Sequence, residues 1–239
     1  MTEPPQNMLI ELDNLSVIRQ GHHLLRNIQL SLPAQGLVVV LGANGAGKSS
    51  LLRVLAGVSE ATAGTIRYRS DVRIGWMPEP ASFYPQLTVH EQLLLWADLQ
   101  AVEQAQTAVE QMMTDWGLVG VRNQTTLHLS LGYRQRLSLA MALLPAVDVL
   151  LLDEPMNGMD PDLMQQFKNR LTELKQRHLV ILVTHLMAEV SVLSDWVLVM
   201  QQGQIILQQD VRTQNIDAVG LMNIYQQAFQ QWQQQLKSA

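Results

Sequence analysis

The segment from Gly42 to Ser49 carries the most specific chemistry in the sequence. It reads GANGAGKS and fits the pattern G-x-x-x-x-G-K-[ST], whose glycines let backbone N–H groups close around phosphate oxygens. The lysine of this pattern places its charge on the β- and γ-phosphates of a nucleotide, and the final hydroxyl is offered to Mg²⁺. A glycine-rich turn without a ligand is the competing interpretation. The predicted nucleotide contacts are Gly42, Asn44, Gly45, Ala46, Gly47, Lys48, Ser49 and Ser50.

Two carboxylates, Asp153 and Glu154, follow an apolar run farther along the chain. In open α/β sheets, ligands bind beyond the carboxyl ends of the strands. We therefore predict that Asp153 holds Mg²⁺, directly or through water, and that Glu154 polarises the water that attacks the γ-phosphate. Alone, such a pair is as often a helix N-cap as a metal site. The upstream phosphate loop favours the nucleotide site.

The elements that must position these residues follow from hydrophobic patterning. Three continuous apolar runs predict buried parallel strands: Leu37–Leu41, Val149–Asp153 and Leu179–His185. Each is followed by a segment with helical spacing, namely Lys48–Ala56, Pro161–Lys175 and Met187–Leu193. This alternation predicts an α/β fold with a mostly parallel core sheet. Together with the phosphate loop, it favours a P-loop NTPase core.

The segments around this core have other patterns. Ile10–Leu32 and Thr65–Met77 alternate over short stretches, which predicts a small antiparallel β subdomain. Leu87–Leu144 is mostly helical in pattern, which predicts a helical insertion between the first and second core strands. We assign residues 1–215 to one ATPase domain, with a helical subdomain at about 84–145.

Residues 216–239 are rich in glutamine and predict a C-terminal amphipathic helix. Packing of this helix on the domain is the favoured interpretation, and contact with a partner is the alternative. Its apolar residues recur every three or four positions along one face: Leu221, Tyr225, Phe229, Trp232 and Leu236.

Composition limits the possible functions. The chain has 239 residues, 47% of them apolar and 15% charged, with a net charge of −5 and no cysteine. Disulfides and thiolate metal sites are excluded, and no basic field favours nucleic acid. The N-terminus, MTEPPQNMLIELDN, lacks the pattern of a signal peptide. The apolar runs fall far short of the roughly 20 residues of a membrane span, so we expect membrane contact only through a partner.

The order of the motifs resembles that of the ABC ATPase family. Leu129–Tyr133, LSLGY, followed by RQRLSLAMALL, is similar to the family's signature sequence and its helix. The resemblance implies that Ser130 and Gly132, at the start of this helix, bind the γ-phosphate of an ATP held by a second subunit. An ordinary N-cap at Ser130 is the alternative interpretation.

Three further segments match the family. Asn157–Asp160 resembles the loop that connects the two active sites of the dimer, which makes Asp160 a candidate nucleotide contact. His185 resembles the histidine that contacts the γ-phosphate and helps to position the water. Trp76–Glu79 resembles the loop between the core and the helical insertion, so Glu79 is a third candidate Mg²⁺ ligand. The other histidines lack such a context and are predicted to be surface groups: His22, His23, His90, His128 and His178.

The sequence departs from the family pattern at three places. Glu79 stands where glutamine is usual, and we expect activity to survive this change. The signature has Leu131 and Tyr133 in place of the usual glycine and glutamine, which affects dimer contacts. Arg19 and Gln20 occupy the region where members place an aromatic residue against adenine, so stacking either falls to the Arg19 guanidinium or is weak.

The resemblance implies an ATPase that binds ATP and Mg²⁺, dimerises with itself or a relative, and drives a separate transmembrane permease. It would lie peripherally on the cytoplasmic face of the inner membrane. The segment PEPASFYPQLTVHEQL is similar to stand-alone subunits of ABC-2-type exporters, which favours export. Two alternatives remain: a soluble ABC ATPase acting on a cytoplasmic machine, and a nucleotide-binding module without turnover.

Overall fold

The computed structural model describes residues 8–214 and 216–238. The strands are β1 (Met8–Arg19), β2 (His22–Pro33), β3 (Gly36–Leu41), β4 (Ala63–Tyr68), β5 (Ile74–Met77), β6 (Val149–Asp153), β7 (Leu179–Val183), β8 (Trp196–Gln201) and β9 (Gln204–Asp210). The helices are α1 (Lys48–Leu55), α2 (Val89–Leu99), α3 (Ala105–Asp115), α4 (Leu131–Leu143), α5 (Pro161–Leu174), α6 (Met187–Val190) and α7 (Ala218–Ser238).

Two sheets organise the chain. A six-stranded sheet has the order β5-β6-β7-β3-β8-β9, and all neighbouring pairs except β8–β9 are parallel. A three-stranded antiparallel sheet has the order β2-β1-β4. The predicted α/β class, with a mostly parallel core sheet and a small antiparallel sheet, is confirmed.

The continuous apolar runs of the core strands reflect burial on both faces. Val38 and Val40 of β3 pack towards α1 and the antiparallel sheet, whereas Leu37, Val39 and Leu41 pack towards α5 and α7. Since each face is covered, no position along the strand is free to be polar. Because β3 and β6 both pair in parallel with β7, the carboxyl ends of the three strands lie at one edge of the sheet, where the predicted site residues are.

Helices α2, α3 and α4 form a separate hydrophobic core, which includes Val89, Leu93, Met113 and Leu137. This arrangement accords with the helical subdomain predicted at about 84–145. The domain limits themselves stay predictions, and residues 1–7, 215 and 239 lie outside the described residues.

The assignment of Thr65–Met77 to antiparallel strands is wrong for its second half. Ile74–Met77 forms β5, which pairs in parallel with β6 at the edge of the core sheet. The helical insertion therefore lies between β5 and β6, both strands of the core sheet. The alternating pattern was misleading because only Gly75 and Met77 of this short strand are buried. The strand after Val149–Asp153 also ends earlier than predicted, at Val183 instead of His185.

The C-terminal helix α7 packs on the domain through the face predicted from its periodicity. Leu221 and Ala228 are buried and Tyr225, Phe229 and Trp232 are half-buried, but Leu236 is exposed. Within the described residues, no helix is both long and apolar enough to cross a membrane.

Candidate functional site

The loop between β3 and α1 has the geometry of a phosphate cradle. Gly47 is the N-cap of α1 with φ +105°, and a Cβ there would come within 2.8 Å of the Leu24 carbonyl oxygen. Only glycine fits this position, since both the dihedral angle and the space exclude a side chain. Lys48 is 7% exposed and its Nζ donates to the carbonyl oxygens of Gly42 at 2.8 Å and Ala43 at 3.1 Å.

A cavity of about 300 Å³ opens beside this loop. Its lining brings together eight predicted site residues from two strand ends: Asn44, Gly45, Gly47, Lys48, Ser49, Ser50, Asp153 and Glu154. Gly42 and Ala46 lie outside the lining and shape the loop, since Ala46 is buried and its backbone N–H donates to the Ala43 carbonyl oxygen. The strand–loop–helix arrangement thus gathers the residues that the sequence separates by about a hundred positions.

Asp153 and Ser49 meet in this cavity. Asp153 is 4% exposed, and burial raises the pKa of its carboxyl group although a hydrogen bond with Ser49 acts in the opposite direction. Among the described residues, no three histidine, aspartate or glutamate side chains form a metal-binding group. The donor set still fits Mg²⁺, which in nucleotide sites takes one or two protein oxygens and completes its coordination with phosphates and water.

Glu154 and His185, the two predicted catalytic residues, are in contact. His185 Nδ1 lies 3.0 Å from Glu154 Oε2, and the His185 backbone N–H donates to the same oxygen at 3.3 Å. Glu154 has a left-handed backbone, φ +47°, and its side chain is 15% exposed. Strands β6 and β7 are neighbours, so their carboxyl ends place a carboxylate and an imidazole at one point of the cavity edge.

Glu79 follows β5 and lies in the electrostatic field of Asp153 and Glu154. Burial, reinforced by these two carboxylates, raises its pKa. Two residues of α4 act in the opposite direction, Gln135 by a hydrogen bond and Arg134 by its charge. Glu79 does not line the nucleotide cavity, and its link to the two carboxylates there is electrostatic.

Ser130 and Gly132, which open α4, do not line the nucleotide cavity of their own chain. Ser130 is exposed, and its Oγ accepts from the Tyr133 N–H at the long distance of 3.5 Å. By contrast, the Asp160 carboxylate caps α5 firmly by accepting from the Leu163 N–H at 2.8 Å. The sequence-predicted contact Asp160 therefore has a structural role in this chain, whereas the Ser130 hydroxyl is only weakly engaged.

Three residues that line the cavity were not predicted as site residues, and His23 is the polar one among them. This exposed side chain lies at the start of β2 and lines the cavity together with Leu24 and Val183. The position of His23 depends on the β1–β2 hairpin, and no motif marks it. Arg19, at the other side of this hairpin, donates from its guanidinium to Ser59 Oγ at 3.3 Å.

Comparison with known proteins decides the family. A model of the ABC transporter family matches residues 25–157, which are 133 of the 239 residues and include the phosphate loop, the signature sequence and the acidic strand end. The chain belongs to the ABC transporter family. It is an ATP-binding, ATP-hydrolysing subunit of ATP-driven transport, and the corresponding predictions from the sequence are confirmed.

Relatives and solved structures agree with this assignment. The lantibiotic transport ATP-binding protein SrtF of Streptococcus pyogenes is 27% identical over 210 residues, which cover 84% of this subunit and 91% of the relative.

Among solved structures, the ATP-binding cassette MJ0796, a dimer in a post-hydrolysis state bound to ADP and Pi, has a TM-score of 0.75. It is 19% identical, with coverage of 85% of this subunit and 99% of that chain. CbiO1 from Clostridium perfringens, part of the ABC transporter complex cbiONQ, has a TM-score of 0.72 at 22% identity, with coverage of 87% and 90%. At these identities the structural likenesses establish the fold.

Proposed function

We propose that two copies of this subunit, or one copy and a relative, enclose two ATP molecules head to tail and drive a separate transmembrane permease. The proposal of a dimer rests on one observation. The chain has two helix N-termini suited to a triphosphate, at Lys48 and at Ser130, and only the one at Lys48 lines the nucleotide cavity of the same chain. A γ-phosphate held by the first can reach a Ser130 turn only if a second molecule supplies it. Both helix ends carry partial positive charge, so the triphosphate draws the two subunits together.

The residues of the cavity divide the work of hydrolysis. Lys48 and the loop N–H groups would hold the phosphates. Ser49 and Asp153, with Glu79 as a third candidate, would hold Mg²⁺, which would neutralise charge on the phosphates. Glu154 accepts a proton from the attacking water as general base, and His185 orients the Glu154 carboxylate. Cleavage of the γ-phosphate removes the bridge between the subunits, and the dimer opens.

The motion reaches the membrane through α4 and the Glu79 loop. Arg134 Nη2 donates to the Ala81 carbonyl oxygen at 3.4 Å, and its guanidinium lies 5.2 Å from the centre of the Phe83 ring. Residues 81–83 are thus linked to α4 through Arg134, which provides a route for the motion. We place the subunit on the cytoplasmic face of the inner membrane, attached through the permease. The exporter-like segment PEPASFYPQLTVHEQL and the lantibiotic transport relative favour export.

Sedimentation of purified protein tests the dimer. In a Glu154→Gln background, which slows hydrolysis, MgATP is expected to convert monomer to dimer, and Ser130→Ala is expected to abolish this while each monomer still binds ATP. Thr88→Ala is the matched control, because it removes another helix N-cap of the same subdomain, where Thr88 Oγ1 accepts from the Glu91 N–H at 3.2 Å. A Ser130→Ala protein that dimerises as readily as the Thr88→Ala protein would refute the head-to-tail arrangement.

Co-purification with a polytopic membrane protein tests the transport partner. A transmembrane permease that is a true partner, expressed together with this subunit, is expected to bind it in detergent and to raise its ATPase rate. Retention on a soluble machine and no effect of the permease would instead favour the non-transport alternative.

A further inference from the structure

The signature turn, residues 130–132, packs against the loop that follows β6, residues 157–160. Leu131, the first residue of α4, lies so close to Gly158 that a Cβ on Gly158 would come within 2.1 Å of Leu131 Cδ2. Leu131 Cγ would be 3.4 Å away, and no other atom of Leu131 would be within 4 Å. The contact therefore depends on the end of the leucine side chain and on the missing side chain of Gly158.

A second contact of the same kind lies beside the first. A Cβ on Gly132 would be 3.1 Å from Cδ2 of Leu163, a buried residue in the first turn of α5. The two leucine–glycine contacts are reciprocal: one leucine comes from the signature turn and the other from α5. Close packing of this kind leaves little freedom for the two segments to move separately.

The loop under Leu131 leads directly back to the predicted general base. The Asn157 N–H donates to the Glu154 carbonyl oxygen at 3.2 Å, and the Glu154 N–H donates to the Val183 carbonyl oxygen at 2.9 Å. Gly158, with φ +69°, lies next to Asn157 in this turn. The signature turn is thus connected to the backbone of Glu154 through the Leu131–Gly158 contact and the hydrogen bond from Asn157, while the bond to Val183 anchors Glu154 to β7.

We propose that Leu131 is a positioning residue that couples the two nucleotide sites of the dimer. Engagement of Ser130 with the partner's triphosphate fixes the signature turn, Leu131 transfers this position to Gly158, and the loop sets Glu154 in its own chain. The proposal rests on the proposed function, since it needs a dimer with shared sites. The exposure of Leu131, 48%, means that its contact adds little to the buried core, so its loss leaves the fold intact.

A double-mutant cycle with Leu131→Ala and Gly158→Ala tests the coupling. The readouts are ATPase rate against ATP concentration, thermal unfolding and binding of ATP by the isolated subunit. The wild-type Hill coefficient is expected to approach about 2, the number of sites in the dimer. Each single variant is expected to lower kcat about tenfold and to bring the Hill coefficient towards 1, with monomer binding of ATP unchanged.

The double variant is expected to lose no more than Leu131→Ala alone, because Leu131→Ala removes the Cδ2 atom that would lie 2.1 Å from the Cβ added by Gly158→Ala. Gly57→Ala is the matched control for backbone strain: its φ is +70°, and nothing lies within 4 Å of the added Cβ. Leu99→Ala removes a leucine that is 62% exposed and far from the signature turn. Both controls are expected to keep the wild-type Hill coefficient.

Two results would count against the proposal in different ways. Losses that add in the double variant, or an unchanged Hill coefficient in folded single variants, would overturn the coupling while the dimer stands. A Glu154→Gln protein that stays monomeric with MgATP would refute the dimer itself, and the coupling with it.

Discussion

The imidazole Nδ1 of His185 lies 3.0 Å from Oε2 of Glu154, although the two residues come from different strands. The same oxygen also accepts from the His185 backbone N–H, so the imidazole and the backbone of one residue both contact this carboxylate. A base for the attacking water must hold a defined orientation at the edge of the cavity. We propose that this contact gives Glu154 that orientation and that His185 supports the base.

Replacement of the base tests this relationship. Glu154→Gln keeps the shape and can still accept from His185, but it cannot take a proton. We expect kcat for ATP hydrolysis to fall by about 10²–10⁴-fold while ATP binding persists, as measured by phosphate release and equilibrium binding. Glu173→Gln, an exposed glutamate on α5, is the control and should keep full activity. Undiminished turnover in Glu154→Gln would remove Glu154 from the role of base.

Replacement of Lys48 in the phosphate loop should weaken the binding of ATP. Burial lowers the pKa of Lys48, and the charges of Glu154 and Asp153 counteract this, so the ammonium group is held in a site with little water. Lys48→Ala removes a charge-assisted contact, and we expect Kd for ATP to rise about 10- to 100-fold. Lys168→Ala, which breaks a 2.9 Å ion pair with Glu189 at the surface, is the matched control for loss of a lysine charge. Tight ATP binding by Lys48→Ala would contradict the assignment of the phosphate loop.

The junction between β5 and α4 should tolerate no added side chain. A Cβ on Gly75 would lie 2.0 Å from the carbonyl oxygen of Ala142, a backbone atom that cannot move independently. We expect Gly75→Ala to lower the free energy of unfolding by about 1–3 kcal/mol, measured by urea denaturation. Gly120→Ala has open space around its new Cβ and is expected to be close to neutral. Equal stability of the two variants would show that the close approach of β5 to α4 is not maintained in solution.

The contribution of Glu110, in the helical subdomain, to the stability of the fold is expected to depend on pH. Arg122 donates to both carboxylate oxygens of Glu110, at 2.5 and 2.6 Å, and this holds the pKa of Glu110 at about 2. Because the folded-state pKa lies below the unfolded value, the carboxylate stabilises the fold above pH ~4.3 and loses this contribution as the pH falls towards 2. Glu110→Gln should therefore have a lower Tm than the wild type at pH 7, and the difference should shrink between about pH 4 and 2.

The exposed Glu103 serves as control, since Glu103→Gln changes the same charge elsewhere in the subdomain. A Tm difference for Glu110→Gln that stays constant down to pH 2 would show that the Arg122 bridge is not its source.

Patterns within short stretches of sequence predicted the core correctly. Val149–Asp153 and the loop from Gly42 to Ser49 are local features, because their residues are neighbours along the chain. The direction of β5 could not be predicted in this way, because its partner in the sheet, β6, lies about seventy residues farther along. His90 illustrates the same point: its isolated position suggested a surface group, yet its side chain is 17% exposed and lies 2.7 Å from Arg122.

The sequence by itself determined that this protein binds a nucleotide triphosphate, because the groups that donate hydrogen bonds to the phosphates belong to one continuous loop and its lysine. The tertiary structure alone decided which distant groups share a cavity. In the folded chain, Glu154 contacts His185, His23 lines the cavity beside the phosphate loop, and Leu131 packs against Gly158. The tertiary structure also kept Ser130 out of the cavity of its own chain. These contacts arise from the packing of strands and helices that are far apart along the chain. The spacing of residues within a short segment cannot predict that packing.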